Sequence, residues 1–193
     1  MRYSEDHKAQ THQRIIEEAA RLFRRDGVGA TGLQPLMKTL GLTHGGFYAH
    51  FKSKDELVET ALRHSVEQLS APPQEAAEGE KPLATLISRY LSSAHRANPG
   101  EGCPLPTMSA ELGQRGEPSP ITDEMVRNRL AAIEAGLNGD HADEQSVLVL
   151  SAMVGALLLS RSVSDPELSD RLLKTTRRLL IKQHAEELPT HLG

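Results

Sequence analysis

The chain has no tryptophan, and only three phenylalanines and three tyrosines, although 38% of its residues are hydrophobic. Its core must therefore be built mainly from Leu, Ala, Val and Ile, an aliphatic bias that suits helices better than sheets. A single cysteine, Cys103, excludes an internal disulfide and fits a reducing compartment. No stretch reaches about 18 uncharged apolar residues, so no membrane span is expected. The longest apolar patch, 146–160, is interrupted by Ser151. The opening residues Met1-Arg2-Tyr3-Ser4-Glu5-Asp6 lack the apolar core of a signal peptide. These absences lead to the expectation of a cytoplasmic protein. Metal-ligand spacing is missing too: His7 and His12 are five apart, His44 and His50 six, and none is joined to a Cys-rich cluster. Neither a metal nor a cofactor is expected.

What is present is unevenly placed. The chain of 193 residues has a net charge of −4, and its length suffices for one or two small domains. Residues 1–64 hold 10 Lys/Arg against 8 Asp/Glu, whereas residues 65–193 hold 12 against 18. Five of the nine histidines (His7, His12, His44, His50 and His64) also fall in the first part. A module facing phosphate, followed by an acidic remainder facing elsewhere, gives such an asymmetry.

Apolar periodicity predicts helices throughout. Ile16, Ala19, Ala20 and Phe23, widened by Ile15 and Leu22, form the stripe of a first helix that stops at Asp26-Gly27. A short helix is predicted over 33–40, with Thr31 or Gly32 as its cap and Pro35 in its first turn. Gly41 supplies the positive φ of a sharp turn, Leu42 plugs the gap, and another short helix runs from Thr43 to about Ala49. Ser53 followed by Glu56 is a capping box that opens a longer helix to about Leu69. Residues 70–81, rich in Pro, Glu and Ala, read as a surface connector. Beyond it, helices are predicted from Pro82 through Ala94 and over about 107–114, 121–137, 142–163 and 166–187. The 142–163 helix is apolar nearly all round, which implies burial on more than one side. The small residues Ala152, Gly155 and Ala156 would let a second subunit approach closely.

Two short helices joined at a glycine turn and braced by an earlier helix match a helix-turn-helix. Phe47 and Phe51, four apart, would anchor the second helix. Thr43, His44, Gly45 and Gly46 cluster at its bare leading edge, while Tyr48 and His50 lie off the anchored stripe. Lys54 opens the next helix, whose free N–H groups also favour phosphate. A protein-binding helix would instead present large apolar anchors, which argues against an interaction module that does not bind DNA.

The run from Arg14 to Phe23, then Gly27, Thr31 and the run from Gly41 to Leu57, resembles the N-terminal domain of TetR-type transcriptional repressors over roughly residues 10–60. Met37-Lys38-Thr39, where that family usually has small or acidic residues, and the bare His44-Gly45-Gly46 depart from the usual pattern. The resemblance implies an all-α homodimer with an N-terminal three-helix DNA-binding domain and a C-terminal helical domain for ligand binding and dimerisation. It implies two reading heads on a palindromic operator. Thr43, Tyr48 and Lys54 would contact phosphates, His44, Gly45 and Gly46 would lie nearest base edges, and Thr31 and Gln34 would touch the backbone. His50 is a further candidate DNA contact. The expected organisation is a DNA-binding domain at 1–53, a connecting helix at 54–70, a linker at 71–81 and a sensing and dimerisation domain at 82–193. Dimer contacts are expected from the 142–163 and 166–187 helices.

Gly102-Cys103-Pro104 followed by Thr107-Met108-Ser109-Ala110-Glu111-Leu112 is similar to a C-terminal variant among TetR-type repressors related to those that sense electrophiles or oxidants. A cysteine close to a helix N-terminus can react as thiolate, and a buried one can equally fill space. Cys103 is thus a candidate sensor, alongside an unknown small-molecule or electrophile effector. A Cys-His enzyme, with Cys103 as nucleophile and His95 as base, is the alternative class; no third orienting residue is apparent. The expected function is allosteric repression: the effector alters the spacing of two reading heads set about 34–36 Å apart, with the 54–69 helix transmitting the change.

Overall fold

The computed structural model describes residues 2–70, 82–116 and 118–184. The connector expected at 71–81 and the end of the last expected helix, 185–187, lie outside the described residues. In chain order these residues form α1 (Arg2–Asp26), α2 (Leu33–Thr39), a 3-10 helix (His44–Ala49), α3 (Lys54–Ser70), α4 (Pro82–Tyr90) and α5 (Ser93–Ala97). A second 3-10 turn (Pro99–Glu101), α6 (Leu105–Arg115), α7 (Pro120–Glu134), α8 (Ala142–Ser162) and α9 (Pro166–His184) follow. The fold is all-helical, with no strand among the described residues. Packing divides the chain into two compact units, Met1–Ala71 with Pro99–Thr122, and Pro72–Asn98 with Asp123–Gly193. Residues 99–122, expected from chain order to join the C-terminal domain, thus pack with the N-terminal unit.

In the first unit α1 is the brace. Ile15, Ile16, Ala19, Ala20, Leu22 and Phe23 are all buried, at the spacing of one helix face. Gly32 is the N-cap of α2 and offers no side-chain cap, so α2 is held mainly by burying Leu36 and Met37. Gly41 closes α2 with φ +72°, a conformation in which a side chain would be strained. The next segment is a 3-10 helix rather than an α-turn; six residues with two glycines are too short and too weak in helix propensity for a full α-helix. Ser53 caps α3 by accepting from the Glu56 N–H at 3.1 Å. Glu56 reaches back one residue further than a standard capping box, accepting from the Lys52 N–H at 2.6 Å. The Pro99–Glu101 turn lies against α1, where a Cβ on Gly100 would stand 3.2 Å from the Arg21 carbonyl oxygen. The buried Arg24 guanidinium ties this turn to α3: Nε donates to Gly100 O at 2.6 Å and Nη1 to Ser65 Oγ at 3.3 Å.

The second unit is built on α8 and α9, which pack along their lengths. Val149, Leu150, Met153 and Leu157 of α8 are buried, while Val147, Leu148, Leu158 and Leu159 on its other side are between 41% and 55% exposed. Among the described residues, α8 is the one helix long and apolar enough, by length and composition alone, to cross a membrane; its buried face is that of a helix packed within a helical unit. The helix expected over Pro82–Ala94 is two. Ser92 caps α5 by accepting from the His95 N–H at 3.1 Å, a local bond that competes with continued helix. The His95 ring stands edge-on to Tyr90, and its Nδ1 lies 2.7 Å from the Tyr90 carbonyl oxygen.

Burial pushes the His95 pKa down; the Tyr90 carbonyl opposes this, and the Arg161 and Arg129 charges add to the lowering. A lowered folded pKa means that the unfolded chain binds the proton more readily, so His95 costs nothing above the ordinary value of about 6.5 and destabilises the fold as pH drops below it. In thermal melts at pH 7.5 and 5.0, the wild type is expected to lose more stability on acidification than His95→Asn.

Candidate nucleic-acid interface

The leading edge of the 3-10 helix is shaped by what lies behind it. Phe47 and Phe51 are buried and stack at 5.6 Å between ring centroids. The His12 ring of α1 stacks on Phe51 at 4.5 Å. With these anchors inside, Thr43, His44, Gly45, Tyr48 and Ala49 are left exposed. Thr43 is the N-cap: its hydroxyl accepts from the Gly46 N–H at 3.2 Å. The two glycines differ. A Cβ on Gly46 would sit 3.3 Å from Thr43 Oγ1 and crowd the cap, whereas a Cβ on Gly45 would meet nothing within 4 Å. Nothing inside the protein requires Gly45 to be bare.

Tyr48, 60% exposed, packs its ring edge on Phe47 and lies 5.9 Å from the His44 ring. Lys54 donates from Nζ to the Val28 carbonyl oxygen at 2.7 Å, using one of its three donors. Gln34 is exposed on the first turn of α2. Thr31 is not at this surface: it is buried, and its hydroxyl donates to Gly27 O at 2.7 Å within the α1–α2 turn. His50 is half-buried with its ring 5.9 Å from His12. Burial first, then the charges of His12 and Lys8, hold its pKa below the usual histidine value. The structure thus brings Thr43, His44, Gly45, Gly46 and Tyr48 onto one edge, sets Lys54 against the α1–α2 turn, and turns Thr31 inward. Cys103 is buried two residues before α6, in the first unit. His95 belongs to the second unit. Among the described residues no group of three His, Cys, Asp or Glu could hold a metal.

Three groups here escaped the sequence reading. Arg14 donates to Leu40 O at 3.3 Å, capping the end of α2. Lys52 is an exposed cation directly after Phe51. Glu111 of α6 grips the α1–α2 turn: its two carboxylate oxygens accept from the Val28 and Gly29 N–H groups, each at 2.7 Å, and Arg115 pairs with it from one helical turn on. Arg14 and Lys52 could have been found from their places in the motif, but no sequence signal joins Glu111 to a turn more than 80 residues earlier.

An exposed, nearly side-chain-free edge on buried aromatics, at the second helix of a braced pair, is the geometry of a helix-turn-helix. Residues 15–61 match the family model for bacterial regulatory proteins of the tetR family. The chain is 27% identical over 195 residues to Rv0196, an uncharacterised HTH-type transcriptional regulator of Mycobacterium tuberculosis, covering 90% of this chain and 96% of that one. It is 27% identical over 164 residues to the HTH-type transcriptional regulator LmrA of Bacillus subtilis, covering 78% and 86%. In fold it is similar to a TetR transcriptional regulator from Chloroflexus aurantiacus, with a TM-score of 0.70, 22% identity and coverage of 95% and 98%. It is also similar to the reduced form of E. coli NemR, with a TM-score of 0.68, 19% identity and coverage of 90% and 96%. Residues 15–61 thus match the tetR-family head, and over most of its length the chain is similar to HTH-type transcriptional regulators.

Hydrogen bonds to a charged acceptor contribute about 1.5–3 kcal/mol, so the Glu111 grip is testable without DNA. Glu111→Ala is expected to raise amide exchange at Val28 and Gly29 at least about tenfold, with α1 protection unchanged. Unaltered exchange at both amides would show that the turn holds itself.

Proposed function

We propose that this protein is a cytoplasmic transcriptional repressor that binds a palindromic operator as a homodimer and releases it in response to a ligand or to modification of Cys103. The observation that carries the reading is the bare edge from Thr43 to Gly46, where a Cβ on Gly45 would meet only open space. Such an edge lets backbone and short side chains approach the floor of the major groove closely. His44, Gly45 and Gly46 lie nearest the bases, Thr43 and Tyr48 bind phosphates, and Lys54 adds a charge from the adjacent helix. Gln34, His50 and the backbone around Thr31 are the flanking candidates. With few side chains on the edge, base-specific hydrogen bonds are sparse, and specificity leans on DNA shape and half-site spacing.

The homodimer reading is supported by the second unit. Val147, Leu148, Leu158 and Leu159 of α8 and Leu179 of α9 are large apolar side chains left exposed. A second copy of the same two helices would cover them in an isologous four-helix contact. For Cys103 the support is its burial two residues ahead of α6, the helix that carries Glu111. A group added to its sulfur would have to displace neighbours in that packed site, and with them the hold on the α1–α2 turn.

Two measurements test the reading. In a salt series on the selected operator, Lys54→Ala should weaken binding and reduce the slope of log affinity on log salt by about one phosphate contact. Tyr48→Phe and Gly45→Ala should weaken binding with the slope and the melting temperature little changed. Unchanged affinity in all three removes this surface from the interface. Separately, N-ethylmaleimide should release operator from the wild type in a gel shift and not from Cys103→Ser. Equal release from both rules Cys103 out as the sensor.

A further inference from the structure

Arg24 is the one Arg, Lys, Asp or Glu buried among the described residues, 7% exposed. Buried charges are ordinarily paired with a charge of opposite sign. This guanidinium is held by neutral oxygens alone. Its Nε donates to Gly100 O at 2.6 Å, and its Nη1 to Ser65 Oγ and to Gln68 Oε1, each at 3.3 Å. Among the described residues no carboxylate stands in ion-pair contact with it, and Nη2 has no acceptor. Of the five N–H donors of a guanidinium, the two on Nη2 are therefore left over. Burial pushes the Arg24 pKa down, and the more distant Glu101 charge is the largest influence opposing it.

Arg24 lines a polar cavity of about 390 Å³ in the first unit, between α1, the end of α3 and the Pro99–Glu101 turn. The size falls within the range of about 300–1,000 Å³ typical of small-molecule sites. Arg14, Arg21, Glu17 and Glu18 line it from the same face of α1, and Glu101 from the turn. Most of these charges are answered nearby. Arg21 and Glu18 hold each other through two hydrogen bonds, at 2.8 and 2.6 Å. Arg14 donates to Leu40 O at 3.3 Å, and Glu17 accepts from Gln13 Nε2 at 2.9 Å. Glu101 is exposed and has no hydrogen-bonded partner. A buried cation and an exposed carboxylate thus remain unmatched on one cavity. A dianion would have to pass Glu17, Glu18 and Glu101, and a simple cation would meet Arg24. A molecule with one charge of each sign answers both ends, because a carboxylate is the natural acceptor for guanidinium N–H groups. We propose that this cavity binds a small zwitterion of the amino-acid type, its carboxylate on Arg24 Nη2 and its ammonium facing Glu101. Binding there requires no operator and no modification of Cys103.

The test is calorimetric titration of the full-length protein with glycine, 4-aminobutyrate and 6-aminohexanoate, whose opposite charges lie at different separations. Butyrate, butylamine and inorganic phosphate serve as comparisons. Saturable binding of at least one amino acid is expected, at least threefold tighter than butyrate, since the ammonium gains only an exposed partner, and at least tenfold tighter than phosphate or butylamine. In proton–nitrogen spectra of the wild type, saturation should shift the Arg24 Nε–H signal and the amides of residues 99–101. Arg24→Lys should weaken binding at least tenfold, because an ammonium does not reproduce the guanidinium fork. Glu101→Gln, an exposed change that leaves the fold intact, should bring the amino acid down to the affinity of butyrate. Failure of all three amino acids to saturate, butyrate or phosphate binding as tightly, or signals of Arg24 and 99–101 left unmoved each overturns the proposal. Should Arg24→Lys fail to fold, the wild-type spectra and Glu101→Gln decide, and an undiminished preference for the amino acid in Glu101→Gln overturns it.

Discussion

A surface that must stay bare has to be held from behind. All three phenylalanines of the chain, Phe23, Phe47 and Phe51, are buried in the first unit, two of them under the 3-10 helix. A six-residue segment with two glycines has little intrinsic helicity. Its conformation therefore depends on aromatic burial and on the Thr43 cap, and its exposed edge exists because no stabilising side chain is needed there. In a protein otherwise short of aromatics, two of its three phenylalanines stand behind this one edge.

The same logic extends backward through the unit. The stripe of α1 packs the helices of the reading head, and the turn after α1 is fastened twice, by Lys54 to its carbonyl and by Glu111 to its N–H groups. Arg24 and Thr107 add ties between α1 and residues that arrive much later in the chain: Arg24 Nε to Gly100 O at 2.6 Å, and Thr107 Oγ1 to Arg24 O at 2.8 Å. Residues 99–122 are thus part of the unit that carries the helix-turn-helix. The second unit keeps five large apolar side chains of α8 and α9, Val147, Leu148, Leu158, Leu159 and Leu179, at its surface.

Much of this was legible in the sequence because it is local. The Gly41 turn, the Thr43 cap, the buried Phe47 and Phe51, and the Ser53–Glu56 cap each depend on residues within a few positions of one another, and each is found in the structure. Other expectations failed at the same local scale. The helix read through Pro82–Ala94 breaks at Ser92 because a serine side chain can satisfy a helix N-terminus as readily as continue a helix. Thr31, placed near DNA by resemblance, has its hydroxyl drawn inward by the Gly27 carbonyl.

By itself, then, the sequence determined the helical class, the helix-turn-helix and the composition of its exposed edge, since periodicity, caps and glycine turns act over one or two helical turns. Only the tertiary structure decided which distant segment completes the helix-turn-helix unit, which side chains of α8 remain uncovered, and where a cavity opens. Those outcomes depend on contacts between residues as far apart as Val28 and Glu111, where the choice of partner is made by packing across the whole unit and leaves no pattern along the chain.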